Sequence, residues 1–277
     1  MSTISLSSLH AKTSADGDVL RITISHGAVN EMGVEQLKDW ETVTQYLSSD
    51  GARALITTSD KHTKSGTPIF VAGANVTERA EWSEQQVKDH VRWQRTTLAA
   101  LRRAPAFHAV VVTGMALGWG TEFLLTADYR IATRAARFAL PETGIGILPG
   151  AGGTSELSKV VGPNQALRLG MTGERIDADE AARIGLVDEV FDTTEEAMAR
   201  AESLAALAAR RSPTAVGAFK QGVLASLSMD EDARTELEAR AYELCVDSGD
   251  AAIGRNNFKA ITAGEAVAWS APRRLGD

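Results

Sequence analysis

The sequence predicts an α/β fold that ends in a helical region. Strand-like stretches alternate with stretches whose apolar residues recur at helical spacing, which is typical of an α/β order. After Phe191 the alternation stops, and helical stretches follow one another directly. With 277 residues, the chain is long enough for one large core, or for one core with an appendage.

The individual elements follow from local composition. The predicted strands are apolar and rich in β-branched residues: "DVLRITIS" (18–25), "ARALITTS" (52–59) and "FHAVVVTG" (107–114). The predicted helices between them are "VEQLKDWETVTQYL" (34–47) and the stretch from Trp82 to Arg103. The later helices are "TTEEAMARAESLAALAARR" (193–211), "PTAVGAFKQGVLASL" (213–227) and "DEDARTELEARAYELCVD" (230–247). Thr, Ser-Pro and Asp at their starts are typical capping residues.

Three segments are predicted to be irregular. "DKHTKSG" (60–66) is a polar loop, and the tail "APRRLGD" (271–277) is expected to be poorly ordered. "GIGILPGAGGT" (144–154) predicts a loop that leads into a helix starting near Thr154, with glycines supplying positive φ angles.

Composition excludes several classes of protein. The chain is 44% hydrophobic and 23% charged, as expected for an ordinary globular protein. Its net charge is −7 and its paired arginines are scattered, so nucleic acid is not expected as a partner. No apolar run approaches the ~20 residues that would span a bilayer, which argues against a membrane protein. Because Cys245 is the only cysteine and the first residues lack a signal peptide's apolar core, we expect a cytoplasmic location.

Common cofactor and catalytic motifs are missing. "GWGTEF" (118–123) begins like a dinucleotide fingerprint but has Phe123 where the third glycine belongs, and there is no phosphate-binding G-x-x-x-x-G-K-[ST]. The five histidines show no HxxxH or HxH spacing, and a G-x-S-x-G elbow is absent. The sequence therefore predicts no nucleotide cofactor, no metal and no serine nucleophile.

Three glycine-rich segments together carry a family resemblance. "FVAGANV" (70–76), "GMALGWGTEF" (114–123) and "FALPETGIGILPGAGGT" (138–154) resemble, in order and spacing, the signature stretches of the crotonase, or enoyl-CoA hydratase/isomerase, superfamily. The similarity continues through "VVGPNQALRLGMTGERIDADEAARIGLVDEVF" (160–191) and covers about residues 18 to 261.

The resemblance implies a fold and a ligand. It implies a crotonase-like ββα spiral core with the acyl-CoA site over residues 1–205, and a C-terminal helical trimerisation region over 206–277. The implied ligand is an acyl-CoA thioester, so coenzyme A belongs to the substrate and no separate cofactor is expected. A homotrimer or a dimer of trimers is expected, and apolar residues such as Leu204, Leu207 and Ala208 exceed what a lone surface helix needs.

The resemblance also implies an oxyanion hole. By position, its donors are the backbone amides of Ala74 and Trp119. Two fixed N–H groups in a water-poor site stabilise a developing enolate oxygen. We expect Trp119 at the N-terminus of a helix, where unsatisfied amides favour negative charge.

Two glutamates match the positions of the family's acids. Glu122 lies one turn inside the expected helix, and Glu142 follows "FALP" (138–141). Two carboxyls around one water can divide the work of base and acid. Gly150 matches a glycine whose amide faces the reactive water. From the residues alone, Glu122 could also be a helix residue favoured by the dipole, Glu142 an acidic turn residue and Gly150 a plain turn glycine.

Some positions depart from the family pattern. Trp119 replaces a glycine, and its indole either reshapes the substrate site or packs in the core. Asn75 replaces a usual aspartate. The implied coenzyme A contacts are Ala72, Gly73, Ala74, Asn75 and Phe258, the last reaching a neighbouring subunit.

The sequence thus predicts an enoyl-CoA hydratase, which adds water across the α,β double bond of an acyl-CoA thioester. Two alternatives stay open. One is another reaction of the same fold on acyl-CoA, such as double-bond isomerisation or C–C cleavage or hydrolysis, because the fold hosts several reactions. The other is a catalytically silent coenzyme A-binding protein.

Overall fold

Two β-sheets and a set of helices make up the structure. A computed structural model describes residues 4–49 and 51–275. In that part of the chain the strands are β1 (Leu9–Thr13), β2 (Val19–Ile24), β3 (Ala54–Ser59), β4 (Lys61–His62), β5 (Pro68–Val71), β6 (Phe107–Val112), β7 (Met115–Leu117), β8 (Tyr129–Thr133), β9 (Arg137–Ala139), β10 (Ile176–Asp177) and β11 (Glu189–Phe191). The helices are α1 (Val34–Ser48), α2 (Glu84–Arg103), α3 (Trp119–Leu124), α4 (Gly153–Thr172), α5 (Ala178–Arg183), α6 (Thr194–Ala209), α7 (Pro213–Ser226), α8 (Glu231–Asp247), α9 (Asp250–Asn256) and α10 (Phe258–Thr262). Two 3₁₀ turns span Thr77–Arg79 and Pro141–Ile145.

The chain winds as a spiral between the two sheets. The larger sheet has the order β1-β2-β3-β6-β8-β11, and the smaller one has the order β10-β9-β7-β5-β4. Successive turns place β3, β6 and β8 in the larger sheet and β5, β7 and β9 in the smaller one, each set pairing in parallel. The predicted α/β class and the ββα spiral are therefore confirmed.

The main core fills the space between the sheets and the first two helices. Its largest fully buried side chains include Trp40, Phe70, Phe123 and Phe138. The opposite face of the larger sheet is covered by α6, which presents a buried stripe of Ala197, Ala201, Ala205 and Ala209. Small side chains let this helix approach the sheet closely, while both faces of the sheet stay shielded from water.

Capping signals start the C-terminal helices where the sequence indicates. The side chains of Thr193, Ser212 and Asp230 each accept a backbone hydrogen bond at the start of α6, α7 and α8. The expected division after residue 205 falls inside α6, which packs on the larger sheet. The helix that ends at Ala209 thus packs on the core, and the division into a spiral core and a C-terminal helical region stays a prediction.

Two predictions for irregular segments need correction. The polar loop "DKHTKSG" contains β4, whose Lys61 and His62 pair with β5 in a short hairpin. The tail is not disordered over residues 271–275, because the amide of Arg273 donates to Thr214 Oγ1 at 3.1 Å. Just before it, the indole of Trp269 donates to the carbonyl of Arg210 at 2.9 Å. The tail therefore returns to the start of α7, and its last two residues lie outside the described part.

The described residues form neither a membrane-spanning helix nor a metal-binding cluster. Among residues 4–49 and 51–275, no helix is long and apolar enough to cross a bilayer. In this described part, no group of three or more His, Cys, Asp or Glu side chains could hold a metal ion.

Candidate active site

The predicted site residues lie at one edge of the smaller sheet. The parallel strands β5, β7 and β9 lie side by side, so their carboxyl ends meet at the same edge. The chain leaves β5 into Ala72–Ala74, leaves β7 into Gly118 and α3, and leaves β9 into the turn that holds Glu142. Three segments that are distant in sequence are thereby brought to one place.

The amides of Ala74 and Trp119 are available for a ligand. Ala74 forms an isolated parallel bridge with Met32, in which the flanking Gly73 carbonyl and Asn75 amide make the hydrogen bonds. Trp119 is the first residue of α3, where an amide has no partner within the helix. Within the described part of the chain, neither amide donates a hydrogen bond.

Glycines bring these two amides together. A Cβ atom at Gly120 would lie 2.3 Å from the carbonyl oxygen of Val71, so only glycine lets α3 start against the end of β5. Gly118 has φ 53° and ψ −118°, and a Cβ there would lie 2.5 Å from Glu142 Oε1. The two donors and the Glu142 carboxyl group are therefore neighbours.

Glu122 is held by the backbone of another segment. Its side chain is buried, with 3% relative exposure. Its Oε1 accepts the amides of Ala151 at 2.8 Å and of Gly153 at 2.7 Å. The sequence interpretation did not name these two amides, and its prediction for the neighbouring Gly150 concerned the reactive water, not Glu122. The available signal was the run Ala151–Gly153, directly before the N-terminus of α4.

Glu142 keeps an unused oxygen in the site. It lies in the 3₁₀ turn Pro141–Ile145, where Pro141 starts the turn. Its Oε2 is shielded from solvent and has no hydrogen-bond partner among the described residues. A buried carboxylate oxygen without a donor is costly unless it is protonated or meets a ligand or a water.

Both carboxyl groups are more basic than usual. Burial, reinforced by the nearby charge of Glu142, raises the pKa of Glu122 to about 7, although the Gly153 and Ala151 amides act against this. Burial likewise raises the pKa of Glu142. Near neutral pH, such a pair can hold one proton and one negative charge, which suits paired acid and base roles.

A cavity of about 590 Å³ connects these groups. Ala74, Trp119, Glu122, Glu142 and Gly150 all line it. The amide of Gly150 donates no hydrogen bond within the described residues, while its carbonyl accepts Arg95 Nε at 3.1 Å. The wall opposite the glutamates comes from α2. This cavity is large enough for the acyl part of a thioester.

The Trp119 side chain packs inward. It is 2% exposed and stacks on Phe123 with ring centroids 5.4 Å apart. Its indole Nε1 is buried without a hydrogen-bond partner among the described residues. Of the two interpretations of Trp119, the structure supports the core-packed indole, and the residue is also among those that line the cavity.

The remaining residues expected to contact coenzyme A are Ala72, Gly73, Asn75 and Phe258, and each makes its own contacts. The amide of Ala72 donates to the carbonyl of Val29 at 3.2 Å, and the carbonyl of Gly73 accepts the amide of Met32 at 2.9 Å. The side chain of Asn75 caps the turn Thr77–Arg79, because its Oδ1 accepts Thr77 Oγ1 at 2.7 Å and the Glu78 amide at 3.3 Å. Phe258 starts α10, is 66% exposed and does not line this cavity.

The raised pKa of Glu122 predicts a pH-dependent gain in stability on substitution. The folded pKa of about 7 exceeds the ordinary 4.5, so the folded state binds more protons in this window and loses stability as the pH rises through it. We expect Glu122→Gln to raise the free energy of unfolding by ~1–3 kcal/mol at about pH 8, and by nearly nothing at about pH 4. Urea unfolding at both pH values measures this, with the exposed Glu265→Gln as the control. An equal gain at both pH values would show that the effect does not come from the charge.

Comparison with known proteins agrees with this geometry. Residues 14–261 match the family model described as enoyl-CoA hydratase/isomerase. The chain is 33% identical to the short-chain-enoyl-CoA hydratase of Clostridium acetobutylicum, over 85% of this chain and 88% of that protein. It is 31% identical to the crotonyl-CoA hydratase of Syntrophomonas wolfei, over 83% and 87%. The crystal structure of an enoyl-CoA hydratase from Bacillus anthracis superposes with a TM-score of 0.85 at 29% identity, covering 95% and 99% of the two chains.

Proposed function

Because the chain belongs to the enoyl-CoA hydratase/isomerase family, we propose that it adds water across the α,β double bond of an enoyl-CoA thioester. One observation carries the proposal. Two buried carboxyl groups with raised pKa values line the same cavity as two unoccupied backbone amides. A hydratase needs both features, whereas a protein that only binds coenzyme A needs neither carboxyl group.

The amides would hold the thioester carbonyl. When a hydroxide equivalent adds to the β-carbon, the π electrons of the C=C bond form a new bond between the α-carbon and the carbonyl carbon. The π electrons of the C=O bond then move onto the thioester oxygen. The N–H groups of Ala74 and Trp119 then donate to the enolate oxygen, and donors of this kind are each worth ~2.7–4 kcal/mol. The N-terminus of α3 adds a favourable dipole at the same point.

The two glutamates would manage the water and its protons. The ionised carboxylate takes a proton from water as the oxygen attacks the β-carbon, and the protonated carboxyl group supplies a proton to the α-carbon. Anchoring by the Ala151 and Gly153 amides fixes Glu122, while the unpartnered Glu142 Oε2 is free to accept a hydrogen bond. The coenzyme A moiety remains part of the substrate, and the proposed reaction consumes no other cofactor.

A screen of enoyl-CoA thioesters tests this function. We expect loss of the conjugated enoyl absorbance with crotonyl-CoA and its longer homologues, in buffer that contains a metal chelator. Double-bond isomerisation of a β,γ-enoyl-CoA without hydration would instead support the isomerase alternative. A well-folded protein that binds crotonyl-CoA and never converts it would support the silent alternative.

We propose a cytoplasmic location, since the single Cys245 cannot form a disulfide within the chain.

Assembly of the subunit into trimers is a further prediction. Apolar side chains stay uncovered on the C-terminal helices, among them Phe219 at 76%, Leu227 at 61% and Leu207 at 48% exposure. Phe219 and Leu227 border an apolar cavity of about 890 Å³. Uncovered patches of this kind mark interfaces. Light scattering should give a trimer or a dimer of trimers, and a monomer at every concentration would contradict this.

A further inference from the structure

Arg79 carries a half-buried positive charge that the proposed reaction does not use. It ends the 3₁₀ turn Thr77–Arg79, shortly after the Ala74 amide. Its Nε and Nη2 atoms are shielded from solvent and have no hydrogen-bond partner among the described residues. Burial lowers the pKa of Arg79, yet an arginine keeps its charge in a protein. A guanidinium without partners in such a place is costly unless an anion joins it.

Neighbouring side chains do not hydrogen-bond to these two nitrogens within the described part of the chain. Glu78 is adjacent in sequence, and its charge acts to raise the pKa of Arg79, but its Oε2 accepts the Val34 amide at 3.2 Å. His90 is the other titratable neighbour. Burial lowers its pKa to about 4, with Arg79 contributing, so its ring is neutral near pH 7. Glu78 therefore offsets part of the charge of Arg79, while the Nε and Nη2 atoms stay without an acceptor among the described residues.

Arg79 lines the same cavity as the two glutamates and the two free amides. Three other cations, Lys88, Arg92 and Arg95, also line it, but these residues are exposed. Among these four and within the described residues, Arg79 alone has side-chain nitrogens that are shielded from water without a partner. A ligand that fills the cavity can supply the acceptor that these nitrogens lack.

The turn that carries Arg79 is fixed relative to the oxyanion donor. Asn75 donates its amide to the Met32 carbonyl at 2.8 Å and accepts the Thr77 hydroxyl and the Glu78 amide with its side chain. Ala74 and Arg79 therefore belong to one rigid unit. A substrate held at Ala74 meets Arg79 at a constant position, which favours recognition of one defined group.

We propose that Arg79 binds a carboxylate at the far end of the acyl group, so that the preferred substrates are acyl-CoA thioesters with a terminal carboxylate. The proposal rests on the proposed function for the placement of the thioester. A guanidinium matches the planar geometry of a carboxylate through two parallel hydrogen bonds. It also offsets the repulsion that Glu122 and Glu142 would exert on an anionic substrate. The exposed cations at the cavity mouth suit the hydrated phosphates of coenzyme A better than a shielded arginine does.

Binding of saturated thioesters tests this without requiring any reaction. Isothermal titration calorimetry would compare adipyl-CoA with hexanoyl-CoA, and suberyl-CoA with octanoyl-CoA, because each pair has one chain length and differs at its terminal group. We expect the wild type to prefer the dicarboxylic member of at least one pair by ~10-fold or more.

Substitution of Arg79 should reverse this preference. In Arg79→Met, the ratio of the two dissociation constants should change by at least ~30-fold, as the carboxylate loses its partner and the apolar chain gains one. Arg79→Lys keeps the charge but not the planar group that makes two parallel hydrogen bonds, and should retain part of the preference. Arg175→Met removes an exposed arginine that does not line the cavity, and serves as the matched control.

Each alternative result contradicts the proposal. Equal ratios in the wild type and Arg79→Met would overturn it. An equal weakening of both members of a pair would assign Arg79 to the coenzyme A moiety instead, which also overturns it. Should Arg79→Met fail to fold, an unchanged preference in Arg79→Lys would be decisive against a fork-shaped contact. Because saturated thioesters cannot be hydrated, failure of the hydratase function would leave these outcomes readable.

Discussion

Replacing Glu122 by Gln is expected to lower the turnover of crotonyl-CoA by at least ~100-fold, with binding of saturated acyl-CoA largely kept. Gln retains the carbonyl oxygen that can accept the Ala151 and Gly153 amides, so the side chain should stay in place. It cannot exchange a proton in this pH range. The expected loss therefore reports proton transfer rather than packing, and steady-state kinetics together with calorimetry separates the two.

Glu142→Gln completes this experiment. We expect a similar loss of at least ~100-fold, and a double variant that loses far less than the product, because the two groups act on one water. The isomerase alternative predicts a different pattern, in which Glu142→Gln is inactive and Glu122→Gln nearly silent, since one base can move a proton along a chain. The exposed Glu265→Gln is the control. Near-wild-type hydration by folded Glu122→Gln would require abandoning the two-carboxyl mechanism.

Removing the amide hydrogen of Trp119 should lower the turnover of crotonyl-CoA as much as removing a carboxyl group does. We expect Trp119→Pro to turn over crotonyl-CoA at least ~100-fold more slowly than Trp119→Gly. Both variants lose the buried indole and its stacking on Phe123, so they differ at the backbone N–H. Proline is tolerated at the first position of a helix, which is where Trp119 lies.

The stability of both variants must be measured as the control for this comparison. Loss of a buried tryptophan leaves a cavity and costs ~3–5 kcal/mol, so circular dichroism and unfolding must show that both variants are folded. Equal turnover by folded Trp119→Pro and Trp119→Gly would show that this amide does not stabilise the reacting oxygen. Trp119→Gly by itself should change the range of accepted acyl groups, because it removes a large side chain from a residue that lines the cavity.

Local composition predicted the α/β class because the strands are apolar, β-branched and separated by amphipathic helices, whereas the spiral was implied by the resemblance to the crotonase superfamily. It missed β4, since a two-residue strand carries no periodic signal, and it misjudged the tail, whose contacts come from distant residues such as Thr214. Local composition cannot report a hydrogen bond between segments that lie about 60 residues apart.

For the site, the residue types were predictable from the sequence, but the contacts between those residues were not. Glu122, Glu142, Ala74 and Trp119 stood in recognisable motifs, and the structure brings all four to one cavity. The partners of Glu122 are backbone amides, which any residue but proline provides, so no residue type reveals them. No sequence pattern singles out Arg79, because only the packed structure shows that two of its guanidinium nitrogens are shielded from water.

The backbone anchor of Glu122 has a consequence for how this protein could diverge. Its two hydrogen bonds are donated by the main chain, so a point substitution at Ala151 can leave them intact, apart from one to proline. The hydrogen bonds to Glu122 therefore depend on the path of the loop before α4, which the glycines at 152 and 153 permit, and not on the side chain of Ala151. An insertion or deletion in that loop would change the proton chemistry in one evolutionary step, while the glutamate itself stayed in the sequence. Descendants with a different reaction could then keep Glu122 and differ in loop length.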